Sequence, residues 1–370
     1  MEKNNYEQKM DIEEDTKKND QDKEEAKIGP MEEELNNIYP AKPNFGKKIS
    51  TIQTTMNSAE SLDTNYSNNL KSIETINSMK SSFENFINNE PKFPPIFKIN
   101  ISKYNYDYKY NTEYFDEIYT NLLLDEKNSK LKIDKDYMEK QNEINDKMRE
   151  ILVDWLIEVH YRFHFKEKTL FQTIFIIDLF LSKKTIQKYN LQLLGVASLL
   201  IACKENEVFY PQVKEFLHIT DNAYTKTELL NMELYILQIL NFEIFNSTSE
   251  EFFGILSKAL NFNIEQHFLG EYFLYSTLID YSLLKYKASV VGAACAYIVM
   301  KFYNINGYKD LYSTRIILDD NPQKVIKDCA RELCFLVKKL TNSKLKSAKE
   351  KYSLKEYCYV AILCDSRLRN

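Results

Sequence analysis

"LLGVASLLIACK", residues 193–204, and "VVGAACAYIVMK", residues 290–301, align without a gap, pairing Gly195 with Gly292, Ala197 with Ala294, Ile201 with Ile298 and Lys204 with Lys301. Small side chains at matched places let neighbouring helices close around one central helix, and that packing by itself implies no ligand. Upstream, "FIIDLFL" (175–181) echoes "TLIDYSLL" (277–284). Each central run is followed by a further amphipathic stretch, so the pattern predicts a duplicated helical domain. Leu152, Trp155, Leu156 and Val159 sit at i, i+3, i+4 and i+7, and Leu230, Leu234 and Leu237 repeat that habit. From residue 96 onward there are only two prolines, Pro211 and Pro322, and five glycines. That is too little turn chemistry for a sheet-rich fold, and both prolines stand where helices begin. The expected fold class is all-α.

Residues 1–95 differ from the rest. They hold 12 Lys, no Arg, 18 Asp plus Glu and six of the eight prolines, with Ser, Thr and Asn filling most gaps. Such a stretch buries too little apolar surface to offset chain entropy and is expected to be disordered. The remaining 96–370 carries 37 basic and 36 acidic residues, close to neutral. Binding duplex nucleic acid draws on a basic stripe that displaces counterions, so this balance counts against a DNA-binding role. No apolar run reaches the length of a membrane span, and "MEKNNYEQKM" at the start lacks the apolar stretch of a signal peptide. A soluble, intracellular protein is expected.

Six cysteines, Cys203, Cys295, Cys329, Cys334, Cys358 and Cys364, form no Cys-x-x-Cys pair and read as reduced packing residues. Four scattered histidines, His160, His164, His218 and His267, offer no zinc spacing, so no metal site is expected. No Gly-rich phosphate loop, Gly-x-Ser-x-Gly elbow or His/Cys cluster occurs. The chain therefore reads as a scaffold with informative surface residues; no catalytic residue and no cofactor are expected.

"MREILVDWLIEVHYRF" (148–163) resembles the opening helix of the cyclin box. "TLFQTIFIIDLFLS", "LQLLGVASLLIACKENEVFYPQV", "FLHITDNAYTKTELLNMELYILQILNFEI" and "ASVVGAACAYIVMKFY" follow in that family's order. "EYFDEIY" (113–119) and "YMEKQNEINDKMR" (137–149) are similar to the amino-terminal helix and linker of A/B-type, mitotic cyclins. The resemblance implies tandem cyclin boxes, two five-helix repeats preceded by a short helix and the tail. The expected divisions are 1–95 tail, 96–147 amino-terminal helix and linker, 148–246 first repeat, 247–360 second repeat and 361–370 C-terminal tail.

The same resemblance implies a non-enzymatic regulatory subunit that binds and activates a cyclin-dependent Ser/Thr kinase, controlling the cell cycle at G2/M. It places Lys204 and Glu233 against the backbone around the kinase's regulatory helix. Lysine has only donors and glutamate only acceptors, so the pair addresses carbonyls and amides whatever the partner's side chains. Glu207, Phe242, Tyr114 and Ile118 join them as kinase contacts. Met148, Ile151, Leu152 and Trp155, with Glu158 and Gln192, match an exposed docking patch for Arg-x-Leu-type motifs on substrates and inhibitors; at this spacing the same residues also suit a core. Arg149 and Asp178 match an internal salt bridge.

Several positions depart from the family pattern. Glu205 and Asn206 stand where an aromatic and an acid are usual, Leu179 replaces an arginine after Asp178, and Lys188 replaces one at the patch rim. With no Arg in residues 1–95 there is no Arg-x-x-Leu destruction box there, nor any Ser-Pro or Thr-Pro site. Lys204-Glu205-Asn206 spells a short degradation signal, but inside a packed helix it could not extend into a receptor groove. Two alternatives stay open: a cyclin-fold relative that binds promoter DNA, and a cyclin-like scaffold that binds without activating, for which Glu205 is the best support.

Overall fold

Helices begin where the sequence supplies side chains to cap them. In the computed structural model of the chain, which describes residues 115–312 and 316–369, α1 spans Phe115–Asn128, and a 3-10 turn at Tyr137–Lys140 leads to α2 (Asp146–Phe163). The Asn145 side chain accepts from Met148 N at 3.1 Å, and His164 in the left-handed region (φ 53°) closes α2. Then come α3 (Glu167–Lys183), α4 (Leu191–Asn206), α5 (Val213–His218) and α6 (Lys226–Ile239), the last opened by a Thr225–Glu228 capping box. The second repeat runs α7 (Ser249–Ala259), α8 (Ile264–Ile279), α9 (Ala288–Phe302) and α10 (Pro322–Leu340), and closes on two short helices, α11 (Ser347–Tyr352) and α12 (Val360–Arg369). Capping boxes Thr248–Glu251 and Asn263–Gln266 start α7 and α8, and Pro322 occupies the first turn of α10. There is no strand among the described residues. The 1–95 tail and Tyr114 lie outside them.

The duplicated runs are the central helices. Every residue of α4 from Leu191 to Cys203 is buried, and α9 is buried from Ser289 to Met300. α4 packs against α2, α3, α5 and α6; α9 packs against α7, α8 and α10. Their matched glycines do the same work: a Cβ on Gly195 would come within 2.8 Å of Leu152 Cδ1 in α2, and one on Gly292 within 2.8 Å of Phe252 Cβ in α7. In each repeat the opening helix crosses the central one at its glycine, at a distance only a missing side chain permits.

α1 belongs physically to the second repeat, packing on α7 and α9. Glu126 accepts from Ser289 N (2.8 Å) and Oγ (2.6 Å), capping α9 from outside, and Tyr119 donates to the Ile316 carbonyl at 2.9 Å. The C-terminal helices return the chain to the first repeat. Asp154 of α2 accepts from Ser347 N and Oγ at 2.9 and 3.0 Å, holding the start of α11. Lys351, buried at 3% exposure, donates to Tyr275 Oη at 2.8 Å, its ammonium 4.1, 5.0 and 5.1 Å from the rings of Tyr275, Tyr352 and Tyr357. Beside this cage His160 donates from Nε2 to the Lys166 carbonyl at 3.0 Å, while its Nδ1 is buried without a partner. Burial, reinforced by the Lys351 charge, pushes His160 down to about 3, so it is neutral. The six cysteines are free, all buried except the half-buried Cys358. No described helix is long and apolar enough to cross a membrane, and no described His/Cys/Asp/Glu group could hold a metal ion.

Candidate functional site

Lys204 is the first exposed residue of α4 after thirteen buried ones. Helix packing of α4 on α6 brings Glu233, nearly buried, to its ammonium: Lys204 Nζ to Glu233 Oε1 is 2.6 Å. The pair is thus formed in the free chain. One of three ammonium donors is engaged and the rest stay on the exposed side, ready for carbonyls of a partner. Apolar surface flanks the pair in sequence. Val208 and Phe209, just past α4, are 78% and 76% exposed, Leu234 follows Glu233 on α6, and Phe242, held in the left-handed region (φ 59°) beyond α6, is 64% exposed. Exposed aromatic and aliphatic groups of this kind mark interaction surfaces. Ile118 is exposed on α1, which packs on the second repeat, and no recorded contact ties it to Lys204.

The three residues after Lys204 have different fates. Glu207, expected as a kinase contact, is half-buried and already engaged within the chain: its Oε1 accepts from Lys166 N (2.8 Å) and Thr169 Oγ1 (2.5 Å), capping α3, whose own N-cap residue Lys166 has no capping side chain. Lys166 Nζ in turn donates to the Asn206 carbonyl. Asn206 is an internal strut, its amide donating to Gln172 Oε1 (2.8 Å) and the Ala202 carbonyl (3.0 Å). Glu205 stays exposed, with no ion pair among the described residues.

The α2 face also differs from expectation. Met148, Leu152, Trp155 and Gln192 are buried, between 0% and 5% exposed, and only Ile151 and Glu158 reach half-burial. An open six-residue docking patch is therefore corrected to a mostly closed one. Positions 148, 152 and 155 share one helical face, and Leu152 on that face sits against Gly195 of α4. Glu158 pairs with Arg162 at 2.5 Å, and Gln192 Nε2 is buried without a hydrogen-bond partner.

Arg149 and Asp178 form a bidentate ion pair, Nε–Oδ1 and Nη2–Oδ2 both 2.7 Å, each side chain 1% exposed. Tyr137 donates to Asp178 Oδ1 at 2.7 Å, and Arg149 Nη1 donates to the Leu278 and Ile279 carbonyls at 3.0 and 3.2 Å. Each of the three guanidinium nitrogens has an acceptor, and the Nη1 bonds join the first repeat to the end of α8 in the second.

This arrangement of two central helices, matched glycine crossings and a lysine–glutamate pair at the end of the first has relatives. The family described as cyclin, N-terminal domain matches residues 117–245, and cyclin, C-terminal domain matches 247–366. The chain belongs to the cyclin family. G2/mitotic-specific cyclin-B of Spisula solidissima is 36% identical over 252 residues, covering 68% of this chain and 58% of that one. Cyclin-B2-2 of Arabidopsis thaliana is 36% identical over 226 residues (61% and 52%), and G2/mitotic-specific cyclin-B of Dictyostelium discoideum 34% over 259 (68% and 57%). The chain thus spans a little over half the length of these curated relatives, all of B-type name and two of them called G2/mitotic-specific. The X-ray structure of a viral cyclin from herpesvirus saimiri shares the fold, with a TM-score of 0.50 at 22% identity over 58% of this chain and 97% of that one.

Proposed function

We propose that this chain is the regulatory subunit of a cyclin-dependent Ser/Thr kinase acting in cell-cycle control at G2/M, in keeping with the G2/mitotic-specific names of two of its relatives. The observation that carries the reading is the Lys204–Glu233 pair, preformed at the exposed end of a buried helix beside exposed apolar residues. Lys204 donates to carbonyls and Glu233 accepts from amides of the kinase's regulatory helix, with Phe242 packing alongside. Holding that helix inward completes the lysine–glutamate ion pair that positions ATP phosphates inside the kinase. The chain contributes binding and no chemistry of its own. A substrate-docking role for the α2 face has less support: of its six residues only Ile151 and Glu158 are reachable.

The test is recovery of partners on the purified full chain from extracts of its own cells, followed by peptide phosphorylation by what is recovered. A Ser/Thr kinase whose activity rises with added chain is expected. A kinase recovered but not stimulated would leave a scaffold, and salt-sensitive retention on DNA with no kinase would contradict the proposal.

A further inference from the structure

Residues 322–351 carry nine Lys or Arg against three acids, a strong local excess in a folded part that is otherwise balanced. α10 explains where part of that charge goes. It buries Ile326, Cys329, Ala330, Leu333, Cys334, Leu336, Val337 and Leu340, leaving Arg331, Phe335, Lys338 and Lys339 at i, i+4, i+7 and i+8 on its outer side. Phe335 is 39% exposed there, an aromatic among cations. Between this stripe and the 3-10 turn at Tyr281–Lys285 lies a cleft of about 280 Å³, its apolar wall including Leu283 and Phe335 and its rim including Arg331, Lys338 and Lys339.

The acids at the cleft are already engaged. Asp280 caps the turn by accepting from Ser282 N at 2.9 Å, and Glu332 is held by Lys285 Nζ (2.9 Å) and Tyr286 Oη (3.0 Å). Arg331 is tied to Asp328 at 2.7 Å. Lys338 and Lys339 form no ion pair among the described residues; Glu150, whose charge is felt by Lys339, is paired with Lys147 at 3.5 Å. Two ammonium groups without a direct ion-pair partner among the described residues thus stand at the edge of an apolar recess.

We propose that this cleft docks an acidic peptide segment of a partner protein, an apolar side chain entering against Leu283 and Phe335 while neighbouring carboxylates meet Lys338 and Lys339. Charge complementarity selects the acids, and the recess selects the anchor. A nucleic acid fits less well: it offers no aliphatic anchor, and the one arginine at the rim has Nη1 on Asp328 and its Nε buried, away from a phosphate. The site does not depend on the kinase reading, and it is remote in sequence from Lys204 and Glu233.

The experiment selects short random peptides displayed on phage against the full chain, then measures the enriched peptides by fluorescence anisotropy. Enrichment of sequences with Leu, Ile or Phe beside Asp or Glu is expected. Their affinity should fall about tenfold or more both in Phe335→Ala and in Lys338→Glu with Lys339→Glu, two exposed changes whose folding is checked by melting. Lysine in place of the peptide's acids should restore binding to the charge-reversed variant alone. No enrichment, enrichment without acids or without an apolar anchor, or unchanged affinity in folded variants overturns the proposal. So does a duplex oligonucleotide that binds through the same lysines with no dependence on Phe335.

Discussion

Lys204 and Arg149 each place one positive charge next to one carboxylate, yet their surroundings differ enough to give opposite consequences. Arg149 is enclosed, bidentate on Asp178 and bonded to two carbonyls of α8, so Arg149→Ala leaves a buried carboxylate without its counter-ion, held by Tyr137 alone, and two carbonyls without that donor. A loss of about 3–5 kcal/mol is expected in thermal or denaturant melts. Lys204 stands at the surface, and Lys204→Ala should melt close to the parent chain; equal destabilisation by the two would remove Lys204 from the interface. His160 supplies a pH dependence. Its folded-state value of about 3 lies below that of an unfolded histidine, so the unfolded chain takes up the proton first. Stability from this source is therefore complete above about pH 6.5 and falls as pH drops toward 3, by roughly 2–3 kcal/mol at pH 4.5. His160→Gln, which keeps a donor for the Lys166 carbonyl, should flatten the profile between pH 7 and 4.5 by that amount; superimposable profiles would contradict the assignment. At this scale the sequence pointed to Lys204, Glu233, Arg149 and Asp178, because two matched repeats and a known box fix their places. It did not show the cap that Glu207 makes, and it left the α2 face open between patch and core. The cap from Glu207 to Lys166 and Thr169 joins residues about forty apart in the chain, and helical spacing alone cannot say whether Met148 and Trp155 face core or solvent.

Helix crossings set the frame that holds these side chains. The two glycines occupy matched positions but not matched surroundings: Gly195 faces the tip of the Leu152 side chain, whereas Gly292 faces Phe252 Cβ and the Phe253 backbone nitrogen at 3.0 Å. A side-chain tip turns aside more easily than backbone moves. Gly292→Ala should therefore destabilise by roughly 1–3 kcal/mol, and Gly195→Ala by distinctly less, in parallel denaturant titrations; the reverse order would mean the repeats do not cross as described. The repeat itself was legible from the paired glycines and the paired Lys204 and Lys301. What no local pattern signals is the allegiance of the terminal helices. α1 reaches the second repeat through Glu126 and Ser289, 163 residues apart, and α11 reaches the first through Asp154 and Ser347, 193 apart. Lys351, in a stretch that reads as solvated, is buried only because three tyrosines and the returning chain enclose it. The near-neutral total over 96–370 hid the basic stripe on α10, and an aromatic among lysines gains meaning only beside the cleft it lines.

Across the whole molecule, the described residues divide labour between an edge of the first repeat, where Lys204 and Glu233 stand, and the second repeat with its returning terminal helices, which hold α2 and α3 on which α4 packs. Residues 1–95, of a composition poor in core-forming side chains, should be dispensable for activation. A chain lacking them is expected to stimulate the kinase as the full chain does, and a folded but inactive truncation would show that a contact resides there. The central claim is that one preformed pair holds the kinase's own helix, and the most direct measurement is phosphorylation of a short peptide by the recovered kinase in the presence of Lys204→Ala with Glu233→Ala. Each charge-assisted hydrogen bond lost is worth about 1.5–3 kcal/mol, so the double variant, still melting cooperatively, should fail to stimulate at concentrations where the parent chain saturates. Full stimulation by the folded double variant would contradict the account.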